Sequence, residues 1–258
     1  MKKNKSLIVG FILPCLLTLL IMYLYPVVRT VIMSFFQIES VTSDTSTWVF
    51  NGMSNYQKIF NSPGWQASMW NMFRIWLIVL SFSLLFAVIL TSGIRFKKFF
   101  RAAIYLPNVI SAVALATMWI QYVYNNDYGM LNKILRTFGL EGVKWLGNDT
   151  KFWAMLFAFI FGAVGYYMLI FISGIERIPA DLYEAATIDG ANKVQQFGKI
   201  TMPLLKGITK TNITFWSVHT TTFFLWSKMF SPVDSEITTT VPVVYLYDTV
   251  FGGKGNST

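Results

Sequence analysis

Side chains able to do covalent or metal chemistry are scarce in this sequence. Among 258 residues there is one cysteine, Cys15, and one histidine, His219. Zinc and redox sites need several such ligands at close spacing, so a Cys/His metal site and a disulfide framework are both excluded, and no metal ligand set is expected. Cys15 stands inside an apolar run without a neighbouring histidine and reads as inert packing, while Asp127, Glu141 and Asp149 share one polar connector and read as solvated charges. Gly252-Gly253-Lys254 lacks the spacing of a phosphate-cradling loop, which needs Gly, four residues, then Gly-Lys-Ser/Thr, so no nucleotide-binding loop is read in this sequence.

Two stretches do carry patterned polar residues. The first is 176–210. There Pro179 suits the first turn of a helix, Asp181 and Glu184 favour its positive end, and Gly190 is a natural stop. Asn192 can cap a second short helix running to about Ile200, and Pro203 leads out of it. Leu182, Ala185 and Ala186 share one small-sided apolar face, open to close approach by another protein. An amphipathic loop resting on lipid headgroups would use the same residues. The second stretch, 211–227, mixes Thr211, Asn212, Thr214, Ser217, His219, Thr220, Thr221 and Thr222 with Phe215, Trp216, Phe223, Phe224 and Trp226. Hydroxyls, an amide and stacking rings suit a path for sugars, with Tyr166, Asn212, Trp216, His219 and Thr220 as candidates. The competing reading has the threonines bonding back to their own helix while the rings pack.

The elements that position these residues follow from composition. The chain is 54% hydrophobic and only 13% charged, where a soluble domain carries about 25% charged residues. Disorder and a soluble enzyme are both disfavoured, and an all-α integral membrane protein remains. Uncharged runs cover 6–28, 75–94, 102–126, 152–175 and 211–227, and about 20 residues suffice to cross a bilayer. Gly162 and Gly165 in the fourth run read as helix packing. Of the net +9, connectors 1–5, 95–101 and 176–210 hold +8 and the other side holds +1, which places the N-terminus and the 176–210 loop in the cytoplasm and the tail 228–258 outside. The basic charge is thus a topology signal and not a nucleic-acid surface.

Glu184-Ala185-Ala186, three residues, Gly190, nine residues, Ile200, one residue, Met202, Pro203 resembles the EAA loop of bacterial ABC importer permeases, with Met202 where the family has Leu. Ile188-Asp189-Gly190-Ala191 and Phe197 are similar to its carbohydrate-uptake branch. Asn55-Tyr56, Phe99-Phe100-Arg101, Leu106-Pro107-Asn108, Asp127 to Asn132 and Trp145-Leu146 extend the likeness over nearly the whole chain, read as one permease domain. The resemblance implies a core of six helices, of which five are expected here, the chain stopping where an outer loop would precede the sixth. It also implies a non-catalytic subunit in the bacterial inner membrane, forming half of a translocation path for a sugar or oligosaccharide-like solute. Its partners would be a second permease, a cytoplasmic ATPase dimer that binds ATP and Mg, an extracytoplasmic solute-binding protein and membrane lipid. Residues 180–203 would couple to the ATPase through Asp181, Glu184, Ala185, Ala186, Asp189, Gly190, Ala191, Ile200 and Pro203. A secondary transporter or channel subunit working without an ATPase is the alternative, but the five uncharged runs lack the intramembrane charges that would mark one.

Overall fold

The structure is a computed structural model that describes residues 5–38, 44–221, 223–232 and 236–252. Residues 1–4 of the basic N-terminal connector, Thr222 and Gly253-Lys254 lie outside the described residues. The described chain divides into two compact units, one ending at Trp65 and one beginning at Gln66.

In the first unit, helix α1 (Lys5–Thr18) runs through a π-helical turn into α2 (Tyr25–Met33). Pro14 interrupts the backbone ladder, and the Thr18 hydroxyl donates to the carbonyl of Pro14 at 2.9 Å. The 25 residues Val9–Met33 are long and apolar enough to span a bilayer, and no part of that window is buried within the chain. Cys15 is correspondingly exposed and does not pack as the sequence led one to expect. The span also runs past 28 through Arg29, whose long side chain can reach an interface. Strands β1 (Phe36–Gln37) and β2 (Val49–Phe50) pair antiparallel, and α3 (Ser54–Asn61) follows. Asn55 holds this turn together by donating to the carbonyls of Ser34 (3.0 Å) and Phe36 (2.9 Å).

The second unit is built around α8. Helix α4 (Pro63–Thr91) buries Ser68, Asn71, Ile75, Val79, Ser83, Ala87 and Leu90, a stripe at spacings of three and four. It starts earlier than the expected run at 75, and the charge that had bounded that run is accommodated: the Arg74 guanidinium lies 5.1 Å from the Trp70 ring and 5.5 Å from Phe152. The expected run 102–126 is not one straight span. Helix α5 (Lys97–Tyr105) tightens into a 3-10 turn at Leu106–Val109, Ile110 and Ser111 are extended, and α6 (Ala112–Met118) leaves through a π turn ending at Val123. The two arms are bent by 102°. Pro107 has no N–H for a helical ladder, which is the physical reason the run breaks here. Helix α7 (Met130–Thr137) precedes α8 (Lys151–Ile175), which matches the expected 152–175.

Helix α8 buries residues on almost every side, and the broken segment lies directly against it. A Cβ placed on Gly165 would stand 2.6 Å from the Ile104 carbonyl oxygen and 2.7 Å from the Tyr105 Cα, so only glycine allows this backbone-to-backbone approach. Asn108 donates to the Gly162 carbonyl at 3.1 Å, and a Cβ on Gly162 would meet Leu115 at 2.7 Å. Both glycines are packing residues, as their spacing indicated. After α8 come α9 (Ala180–Ile188), α10 (Lys193–Gln196), α11 (Met202–Leu204), α12 (Lys206–Thr221), α13 (Phe224–Phe230) and α14 (Pro242–Phe251). The expected fifth run, 211–227, thus falls on two helices; α12 has 16 residues, too few to span as one straight helix. Among the described residues, three helices are long and apolar enough to cross a membrane, or four if the bent pair counts as one.

Replacing Gly165 by Ala should destabilise the detergent-solubilised chain by about 1–3 kcal/mol. Gly10→Ala, where a Cβ meets nothing within 4 Å, should leave it unchanged. Thermal denaturation of the two variants checks the close approach, and equal melting would refute it.

Candidate functional site

The residues between α8 and α12 form a knob held by its own side chains. Pro179 occupies the cap position of α9, with Asp181 in its first turn. The helix ends where Gly190 takes φ +81°, a left-handed conformation that a side chain would strain. Three backbone bonds close the turn: Asp189 N–H to Ala185 O (3.0 Å), Gly190 N–H to Thr187 O (3.1 Å) and Ala191 N–H to Ala186 O (2.8 Å). Asn192 then caps α10 reciprocally with Gln195, its Oδ1 accepting from the Gln195 N–H at 2.9 Å while Gln195 Oε1 accepts from the Asn192 N–H at 2.8 Å. A π-helical turn, Phe197–Thr201, carries the chain past Ile200 to Pro203 in α11.

Two side-chain braces fold the second arm back on the first. Gln196, buried, donates to the Thr187 hydroxyl (2.9 Å) and the Ala191 carbonyl (3.2 Å). The Tyr183 hydroxyl meets that of Thr201 at 2.8 Å. The sequence reading missed Tyr183, Thr187, Gln196 and Thr201, although Tyr183 and Thr187 stand four apart on one helical face and were open to discovery there. What the braces leave outward is informative. Asp181, Glu184, Ala185 and Asp189 are exposed, Ala186, Ala191 and Ile200 half-buried, and Pro203 exposed. Ile188 and Val194 are 87% and 78% exposed, so the knob presents bare aliphatic side chains beside its small residues. Among the described residues no cation forms a salt bridge with Glu184. At the root of the knob, Arg101 pairs with Glu176 at 2.6 Å, tying the middle of α5 to the end of α8.

The path candidates divide between two faces of α12. Asn212, Trp216 and Thr220, at spacings of four, are buried inside the unit. Asn212 donates to the Tyr167 carbonyl (3.2 Å), the Trp216 indole to the Trp76 carbonyl (2.8 Å) and the Thr220 hydroxyl to the Trp216 carbonyl (2.7 Å). His219 Nδ1 lies 3.0 Å from the Tyr167 hydroxyl, and Tyr166 is exposed on α8. On the outward face, Thr211, Thr214 and Thr221 donate to the carbonyls of Gly207, Lys210 and Val218, at 3.2, 2.9 and 2.7 Å. Those threonine donors are engaged within their own helix, leaving only lone pairs to accept from outside.

With this geometry in place, comparison with known proteins is direct. Residues 81–230 match the family described as binding-protein-dependent transport system inner membrane component. The chain belongs to this family. It is therefore a membrane transport subunit and not an enzyme. The family segment includes the broken α5–α6 pair, α8, the whole knob and α12 to α13. Among relatives, the chain is 34% identical over 213 residues to the probable ABC transporter permease protein YurN of Bacillus subtilis, covering 79% of this chain and 71% of that protein. It is 33% identical over 217 residues to the arabinooligosaccharides transport system permease protein AraP of Halalkalibacterium halodurans, covering 80% of this chain and 66% of that one. The chain thus spans about two thirds of these relatives' length. Its fold is that of a bacterial ABC transporter involved in the import of the acidic polysaccharide alginate, with a TM-score of 0.75, 21% identity, and coverage of 96% of this chain and 85% of that one.

Asn192→Ala removes the acceptor for the Gln195 N–H at the start of α10 and should cost about 1 kcal/mol locally. Hydrogen exchange over residues 193–201 should rise accordingly, while the amides of α8 keep their protection.

Proposed function

We propose that this permease-family chain forms half of the translocation path of an ABC importer for a sugar or oligosaccharide-like solute, and that its knob couples it to a cytoplasmic ATPase dimer. The observation that carries this reading is the knob itself: a braced element that leaves Glu184, Ala185 and the aliphatic Ile188 outward. A rigid projection can pass a partner's movement to the helices it joins, where a floppy loop would absorb it. Glu184 would pair with a basic residue of the ATPase, Ala185 and Ala186 would permit close seating, and Gly190 sets the bend between the two arms. ATP and Mg would be bound by the ATPase. The excess of basic residues beside the knob supports a cytoplasmic position for it and for the N-terminus.

The solute class rests on two lines of support. Relatives are described as permeases for arabinooligosaccharides, for sulfoquinovosyl glycerol and for trehalose and maltose. In this chain Tyr166 is an exposed ring, and the outward face of α12 offers hydroxyl lone pairs beside Phe215. A second permease would close the other half of the path. An extracytoplasmic solute-binding protein would deliver the solute, as in the alginate transporter solved in complex with its pentasaccharide-bound periplasmic protein. Asn212 and Trp216 then act from behind the path, by fixing α12 against α8 and α4.

Glu184→Lys should reduce co-elution of the ATPase at least about tenfold, the scale of losing a charge-assisted contact at an interface. Membrane insertion and the melting temperature of the chain should not change. Unaltered co-elution of this variant would remove the coupling role from Glu184.

A further inference from the structure

At the end of α8 remote from the knob, a second set of polar contacts gathers three helices onto one short segment. Glu236–Thr240 is an irregular turn closed by the N–H groups of Thr239 and Thr240, both donating to the Glu236 carbonyl at 3.0 Å. Asn71, buried near the start of α4, donates through one amide nitrogen to three of its carbonyls: Ile237 (3.0 Å), Thr238 (3.1 Å) and Thr240 (3.0 Å). Lys151, the first residue of α8, meets both carboxylate oxygens of Glu236, at 2.5 and 2.7 Å, with only 11% of its side chain exposed. From α13, the Ser227 hydroxyl donates to the Thr239 carbonyl and the Ser231 hydroxyl meets that of Thr239, each at 2.7 Å.

The segment leads straight into α14. Val241 and Val244 are buried in the main core, and Asp248 pairs with Lys228 of α13 at 2.5 Å. The position of α14 is thus set by the clasp at its root and by α13 alongside it. The 25 residues of α8 separate Lys151 from the knob by about 37 Å. Clasp and knob therefore sit at opposite ends of the same helix. A partly buried ion pair is a poor way to gain stability over an apolar pair of the same volume, but it does specify one geometry.

We infer that Asn71 and Lys151 are positioning residues for transport, holding Glu236–Thr240, and α14 with it, closed on the ends of α4, α8 and α13 while the knob end of α8 moves. The inference rests on the transport function proposed above. It requires the clasp to stay shut: a tie that opened in each cycle would leave α14 free of the helices that the knob drives.

The test uses this chain assembled with its partner permease and ATPase in proteoliposomes, reading ATP hydrolysis stimulated by the solute-binding protein. It also uses hydrogen exchange of residues 236–251 in the chain alone in micelles. Lys151→Glu or Glu236→Lys should lower stimulated hydrolysis about tenfold and raise that exchange, and the paired swap should restore both to within about twofold. Asn71→Leu, which cannot donate, should act like the single charge reversals. In a Cys15→Ser background, Lys151→Cys with Glu236→Cys should be impaired, and a short bifunctional thiol reagent joining the two should recover activity. A cross-linked clasp that blocks hydrolysis, or a swap that restores neither readout, overturns the inference. If the wild-type chain fails to co-elute with the ATPase, the coupling function falls, while the exchange arm still reads the clasp by itself.

Discussion

The contact on which the second unit depends is the approach of the α5–α6 backbone to α8 at Gly165. There is no room between the Ile104 carbonyl and α8 for even one methyl group. A broken helix in an apolar surrounding has carbonyls and N–H groups that water cannot reach, so it persists only where protein satisfies them. Close approach brings Asn108 within reach of the Gly162 carbonyl and seats Leu115 and Trp119 in the core. Helix α8 in turn is the element against which α5, α6, α12 and α13 pack, and two thirds of its apolar window is buried while that of α1–α2 is bare.

The two ends of α8 carry different kinds of order. At the Glu176 end, the knob is rigid through bonds made within itself, between Tyr183 and Thr201 and between Gln196 and Thr187. Its outward side chains are therefore left free of structural duty, which is the condition for offering them to another protein. At the Lys151 end, order comes from bonds between helices, converging on five residues. Such bonds join elements distant in sequence, although the net gain from each is modest. A lever needs both features: a handle that keeps its shape and a far end whose parts stay together.

Helix α12 shows how a polar composition can serve packing. Its Asn212, Trp216 and Thr220 look like ligand-binding residues by type, yet each polar group donates to a backbone carbonyl inside the unit. Trp216 lies wholly buried, stacked on Phe159 with ring centroids 5.7 Å apart. Asn212 and Trp216 fix the register of α12 against α8 and α4, and the outward threonines and Phe215 are left to meet whatever lies beyond.

Much of this was legible in residue order alone. Apolar length and charge spacing identified a helical membrane protein, because a bilayer imposes a span that shows directly in composition. The start of α9 at Pro179, the Gly190 turn and the Asn192 cap were readable too, since each is a local backbone requirement met by neighbours in sequence, although Pro179 caps the helix one position before the first turn expected for it. Gly162 and Gly165 were legible as packing positions, but not what they pack against. The break at Ile110–Ser111 and the split at the end of α12 were hidden in uncharged runs, because hydropathy averages over residues and is blind to backbone direction. Asn71, Lys151 and Glu236 carried no signal at all, standing 80 and 85 residues apart along the chain. The sequence by itself thus determined the class, the family and the local geometry of the knob. Only the tertiary structure decided which face of α12 is buried and which distant polar groups meet, because hydrogen-bond partners are chosen by proximity in space, and the fold alone creates that proximity.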